Sequence, residues 1–213
     1  TLINANWQLK PLHRMILSSA TYRQSSSTGT AFLEKDADNV LLWHRRPQRL
    51  EAEAIRDQFL AVAGALRRDM FGPSISIGNY KTEVRDAPSS WRRSIYLQAH
   101  RSAKHPTLSL FDPPDLSRSV GARATGADPI GALFALNAPF GWDMSERLAH
   151  RIKEEAGGDQ EKQIEYAYLR VLSRPPDEEE RQFSRELLSG ASDRLLVNYC
   201  HLLLGLNEFI YVN

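Results

Sequence analysis

One cysteine in 213 residues, Cys200, excludes an intramolecular disulfide, a clustered-thiolate metal site and a CxxCH haem attachment. It lies in LLVNYCHLLLGL, where a small buried thiol is expected rather than a reactive one. Charge of one sign is also missing. With 27 basic and 26 acidic residues the net charge is +1, so no global field draws in nucleic acid or an anionic membrane. No run of eighteen apolar residues occurs, which excludes a spanning helix by hydropathy. HExxH, GxGxxG, GxSxG, a P-loop and a calcium-loop pattern are all lacking, and so is any internal repeat.

What remains is the composition of an ordinary soluble globular chain, 42% hydrophobic and 25% charged. Its length suits one large domain or two small ones. The first residue is Thr1 and no basic segment precedes an apolar one, so the expectation is an internal piece or processed form whose start does not report its compartment.

Helical periodicity dominates the pattern. A first helix is expected over Trp7–Tyr22, with Asn6 as cap and Pro11 in its opening turn. A polar loop, 24–39, separates it from a second helix expected over 48–66 and stopped near Gly72-Pro73. Residues 94–99, SIYLQA, are the best strand candidate, short and alone. A long connection, 101–128, follows; Pro106, Pro113-Pro114 and Gly121 keep regular structure out of most of it. Beyond it the pattern is helical to the end. A helix from Pro129 to Ala135 comes first, then one carrying Met144, Leu148 and Ile152 and another carrying Ile164, Ala167, Tyr168 and Val171. Two more are opened by PPDEEE and marked by Leu196, Cys200 and Leu203. The expected fold is mainly α, an irregular helical domain with long loops and at most a small β element near 93–99. One domain spans 1–213, the alternative being a division into 1–125 and 126–213.

The densest chemistry lies in RLEAEAIRD. Ile55, Phe59, Val62 and Leu66 place one face of this helix in the core, yet Arg49, Glu51, Glu53, Arg56 and Asp57 share the segment, with Arg45 and Arg46 just upstream. Charges that cannot all face water are expected to be paired, because an unpaired buried charge is expensive. These seven residues are therefore expected to form a structural ion-pair network, in preference to an anion clamp that would also use His44.

A second group of arginines, Arg92, Arg93, Arg101 and Arg123, lies in or beside the long connection with fewer carboxylates nearby, chiefly Asp112 and Asp115. Arg92, Arg93, Arg101, Asp112 and Arg123 are the ligand-binding candidates, suited to a sulfate or a uronate carboxylate. Trp91 and Tyr96 interleave with Arg92 and Arg93, but a neutral chain without a recognisable nucleic-acid module argues against such a partner. His100 and His105, or Asp112 and Asp115, are too sparse a set to call a metal site, and turn chemistry accounts for DPPD. His13 is expected at a core edge, hydrogen-bonded. No metal or cofactor is expected in this chain.

Seven stretches in order, WQLKPLHRMILSSATYRQSS (7–26), DADNVLLWHRRPQRLEAEAIRD (36–57), RRSIYL (92–97), LFDPPD (110–115), PIGALFALNAPF (129–140), SRPPDEEE (173–180) and NEFIYVN (207–213), carry a resemblance. The chain resembles the planctomycete-specific PSD-type domain of unknown function, found at the C-terminal end of large proteins that often carry cytochrome c modules, and it is similar to that domain's C-terminal portion. The resemblance implies a secreted or periplasmic multidomain protein whose partners are the preceding domains, a cytochrome c module among them. The chain departs from the pattern where glycines replace an expected threonine and glutamine around Arg123, Gly126, Pro129, Gly131, Ala132 and Leu133, and at Gln98-Ala-His-Arg101. The function expected is an interaction or ligand-binding module, with an anionic carbohydrate as a possible ligand and no enzyme activity of its own. The alternative is a hydrolase or redox-linked enzyme acting on polysaccharide from the 92–128 region.

Overall fold

The computed structural model describes residues 2–26, 30–76, 86–101, 105–109, 111, 119, 121, 137–190 and 192–212, with Thr30 and Ala31 by their backbone alone. The chain forms two compact units, Thr1–Gln48 with Tyr211–Asn213, and Arg49–Ile210. Helices on both sides of residue 125 pack within the larger of these units.

In the smaller unit, α1 spans Leu9–Leu17 and α2 Thr30–Leu33. Helix α1 is shorter than its period suggested at both ends. Asn6 and Trp7 take left-handed backbone angles (φ 51° and 60°), so Asn6 turns the chain instead of capping, and Gln8 stands at the start without a side-chain cap. At the other end the Ser19 hydroxyl donates to the Ile16 carbonyl at 2.7 Å, diverting the backbone as serines do. Among the described side chains of this unit only Asn39 is buried. Its amide donates to the His44 carbonyl at 2.8 Å, and the Asp36 carboxylate accepts from the backbone of Val40 and Leu41, which holds its pKa below the usual carboxylate range.

The larger unit is built on α3 (Ala52–Val62), α4 (Pro106–Ser109), α5 (Pro139–Ala156), α6 (Gln160–Val171), α7 (Glu178–Leu188), α8 (Asp193–Leu204) and α9 (Asn207–Ile210). Helix α5 packs along α8 and also touches α6 and α3; α6, α7 and α8 complete the bundle. Met144, Leu148 and Ile152 from α5 meet a core that includes Ile164, Ala167, Leu196, Cys200 and Leu203, all at most 3% exposed. Phe59 of α3 joins it edge-on to Phe209 at 5.0 Å. Burial pushes the Cys200 thiol well above its ordinary pKa, so it is protonated and inert.

Helix ends follow local chemistry. Asp159 caps α6, Ser192 caps α8, and Asp177 with Glu180 closes a reciprocal capping box at the start of α7. Helix α3 stops at Val62, well before the expected Leu66. Gly64 takes φ 73°, its N–H reaches the Ala61 carbonyl and that of Ala65 the Leu60 carbonyl, a Schellman closure the apolar period had concealed.

The fold is mainly α, and among the described residues it has one small sheet, β1 (Gln48–Arg49) paired with β2 (Tyr211–Val212). The strand expected at 94–99 is instead a 3₁₀ turn, Ser94–Tyr96, flanked by single bridges from Arg67 to Arg92 and from Ile75 to Leu97. Asp57 accounts for the difference by accepting from both the backbone and the hydroxyl of Ser94 at 2.7 Å, which pulls the segment onto α3. The helix expected over 129–135 lies outside the described residues.

Candidate functional site

Arg56 is fully buried on α3, and its guanidinium organises the segment 86–94. Nε and Nη2 fork the Asp86 carboxylate at 2.7 Å each. The remaining donors reach the Ser90 carbonyl (2.9 Å), the Arg92 carbonyl (3.1 Å) and the Ser94 hydroxyl (3.1 Å). Five donors serve five contacts, which is what a buried arginine requires. Asp86, 2% exposed, also accepts from the hydroxyls of Ser90 and Thr107 at 2.9 Å. His105 lies beside it, Nε2 at 3.8 Å, with neither ring nitrogen hydrogen-bonded. Burial and, secondarily, the Arg56 charge outweigh the pull of Asp86, lowering the His105 pKa to about 4, so the ring is neutral at pH 7.

Arg56 thus holds the carbonyls on both sides of Trp91. That residue is itself buried and lines a groove of about 740 Å³ between the end of α3 (Ala63, Gly64), Pro88 and one face of α5. The guanidinium of Arg147 lies 4.4 Å above the indole ring. The node beneath and the groove above share one short segment.

The described contacts of the run at 45–57 reach outward from it. Arg56 finds its carboxylate thirty residues away, at Asp86, which was not among the expected partners. Asp57 lies 3.7 Å from Arg56 and 3.9 Å from Arg93 but makes its short bonds to Ser94. Arg49 donates to the Phe111 carbonyl at 3.3 Å. Arg45 and Arg46 act inside the smaller unit, the first over the Tyr22 ring at 5.2 Å, the second on the Asp38 carbonyl. Glu51 stands at the start of α3 and Glu53 in its first turn.

The arginines proposed to bind an anion are also divided. Arg92 is buried; its guanidinium donates to the carbonyls of Asp69 (2.9 Å) and Phe71 (2.7 Å) and lies 3.9 Å from the Tyr96 ring centre. It fastens the 69–73 loop, whose carbonyls engage its donors. Arg93 and Arg101 are exposed. Asp112 and Arg123 lie outside the described residues, as does Asp115. His100 is exposed, 3.1 Å from Gln98. No three histidine, cysteine or acidic side chains gather as a metal site among the described residues.

A serine–histidine contact occurs on α5 and α8, Ser145 Oγ to His201 Nδ1 at 3.0 Å, with Trp142 stacked on the imidazole at 4.0 Å. Ser145 is fully buried and donates to the Gly141 carbonyl of its own helix at 2.8 Å, so it cannot reach a substrate and serves packing. Asp86 and Thr107 escaped sequence reasoning because both are short polar residues in stretches whose sequence reads as irregular. The usable signal was an arginine at a core position of α3, which demands a distant carboxylate.

Among the described residues no helix is long and apolar enough to cross a membrane. Neither the curated proteins nor the solved structures contain a match to this chain. A family model described as PSD1, protein of unknown function (DUF1553), matches residues 1–188, and this chain belongs to that family.

Proposed function

We propose that the chain is an interaction module of a secreted or periplasmic multidomain protein, docking through the apolar face of its smaller unit. The observation that carries this reading is α1. It buries no residue, while Leu9, Met15, Ile16 and Leu17 stand 46–56% exposed and Trp7 70% exposed just ahead of it. Phe32, Val40, Leu41 and Leu42 add further exposed apolar surface in the same unit. Helices with a stripe of this kind gain most of their stability by covering it, and large exposed apolar patches mark interaction sites. The partner is a preceding domain of the same polypeptide, as the resemblance implies, with a cytochrome c module as the redox neighbour. The chain itself carries no metal or haem, and elemental analysis after chelator-free purification should give well under one equivalent of zinc, iron or calcium.

The test is binding of the separately produced preceding domain, read by calorimetry. Ile16→Asp with Leu9→Asp should weaken it at least tenfold while circular dichroism stays unchanged. Undiminished binding by a folded double variant would refute the docking face.

A further inference from the structure

Helix α5 carries Asp143, Arg147, Arg151 and Glu155 at successive intervals of four, so each arginine has a carboxylate one turn away on its own helix. Such pairs form readily on exposed helices. Here neither is made: among the described residues no carboxylate lies within 4.0 Å of Arg147 or Arg151. Arg147 lies over Trp91 instead. Arg151 rests against Gly64, where a Cβ would come within 2.9 Å of its Nη1. Both guanidiniums border the 740 Å³ groove, whose other charged lining is Asp143, Glu146, His150, Glu154 and Glu155.

We propose that this groove binds a hydroxyl-rich organic acid, a short uronic-acid saccharide in chemical class, with Arg147 and Arg151 forking its carboxylates. Stacking on a buried ring and a notch at a glycine hold two planar forks in place without consuming their in-plane donors, so little rotamer freedom is lost on binding. The two are about one helical turn apart, roughly 5–6 Å between Cβ atoms. The surrounding carboxylates accept hydrogen bonds but donate none, so the ligand must bring donors of its own. Sugar hydroxyls do; a plain dicarboxylate does not, and it would meet four acids with nothing to offer them. The groove volume falls in the range that small ligands occupy. This site lies in the larger unit, and its described lining includes none of Arg92, Arg93 and Arg101. It is independent of the docking face on α1.

Calorimetric titration with digalacturonate, neutral galactobiose and adipate tests the proposal. Digalacturonate should bind with millimolar or better affinity, and the other two at least tenfold more weakly. Arg147→Lys with Arg151→Lys keeps both charges but removes the forks, and should weaken digalacturonate at least fivefold with the thermal midpoint unchanged. Absence of digalacturonate binding, equal binding of adipate, or full affinity in the folded double-lysine variant would each overturn it. The α1 variants should bind digalacturonate normally, so this reading and the docking face fail separately.

Discussion

The two units solve the same problem, holding charged and apolar side chains in one short chain, in opposite ways. In the larger unit, helices α3 and α5–α8 bury their apolar faces against one another, and the charge that falls inside, Arg56, is met by Asp86 and three further acceptors. In the smaller unit, apolar side chains of α1 and the 40–42 turn stay in water and only Asn39 is buried among the described side chains. The first unit to be made stable is therefore the larger one, and the smaller one contributes surface. Breaking the comparison means showing that a change in the larger unit costs little, or that a change in the smaller one costs much.

The largest effect is expected at Arg56. Arg56→Ala leaves Asp86 buried without its partner and strips two carbonyls of their donor. It should lower the unfolding free energy by about 3–5 kcal/mol, measured by urea denaturation of the 213-residue chain. A loss under about 1 kcal/mol would show that the node is incidental. Glu53→Ala, which the sequence alone singles out equally, should cost far less, since Glu53 is only half-buried in the first turn of α3.

How much of this was legible beforehand depends on whether the signal was local. Helices α5 to α8 announced themselves through their 3.6 period, and α7 also through PPDEEE, whose capping acts within three residues. The end of α3 misled because the period ran on through Leu66, past Gly64, and a left-handed glycine outweighs one more apolar residue. Arg56 could be flagged, but its partner could not be named, because pairing over thirty residues leaves no spacing to read. The groove was invisible for the same reason. Trp91 and Arg147 meet only once α3 and the 86–94 segment are in place, and the sequence does not show that Arg147 forgoes Asp143.

Next in size is an acid effect at His105. Its folded pKa of about 4 lies below the ordinary 6.5, so in the unfolded chain the imidazole takes up a proton that the folded ring refuses. The corresponding stability is fully present above pH 6.5 and is lost as pH falls from 6.5 to about 4, to an extent of roughly 3 kcal/mol. Denaturation across that window should show this decline, and His105→Gln should flatten it even if it lowers stability at pH 7. An unchanged slope in the variant would assign the acid sensitivity to other groups.

A smaller effect is expected at Arg174, which forks Glu180 and Glu208 at 2.7 Å each and so ties the start of α7 to α9. These side chains are 25–37% exposed, so water screens the contact. Glu208→Gln should cost about 0.5–1 kcal/mol, and less in 1 M salt. A salt-independent loss above about 2 kcal/mol would mean that α9 depends on this bridge more than on burial of Phe209 and Ile210.

The smallest effect sharpens the contrast most. Ile16 is a large apolar residue on a helix, and in the larger unit its truncation would remove core, at a cost of 2–5 kcal/mol. On α1 it is 46% exposed and its neighbours Met15 and Leu17 are 51% and 52% exposed, so little burial is lost when it becomes polar. Ile16→Asp should change the unfolding free energy of the chain by no more than about 0.5 kcal/mol, the range of ordinary surface substitutions. The same variant should lose affinity for the preceding domain. A residue that is silent in stability yet decisive in binding is what a docking face predicts and a core helix forbids. If Ile16→Asp instead unfolds the chain at the temperature where Arg56→Ala does, α1 is part of the core in solution and the smaller unit is no mere surface.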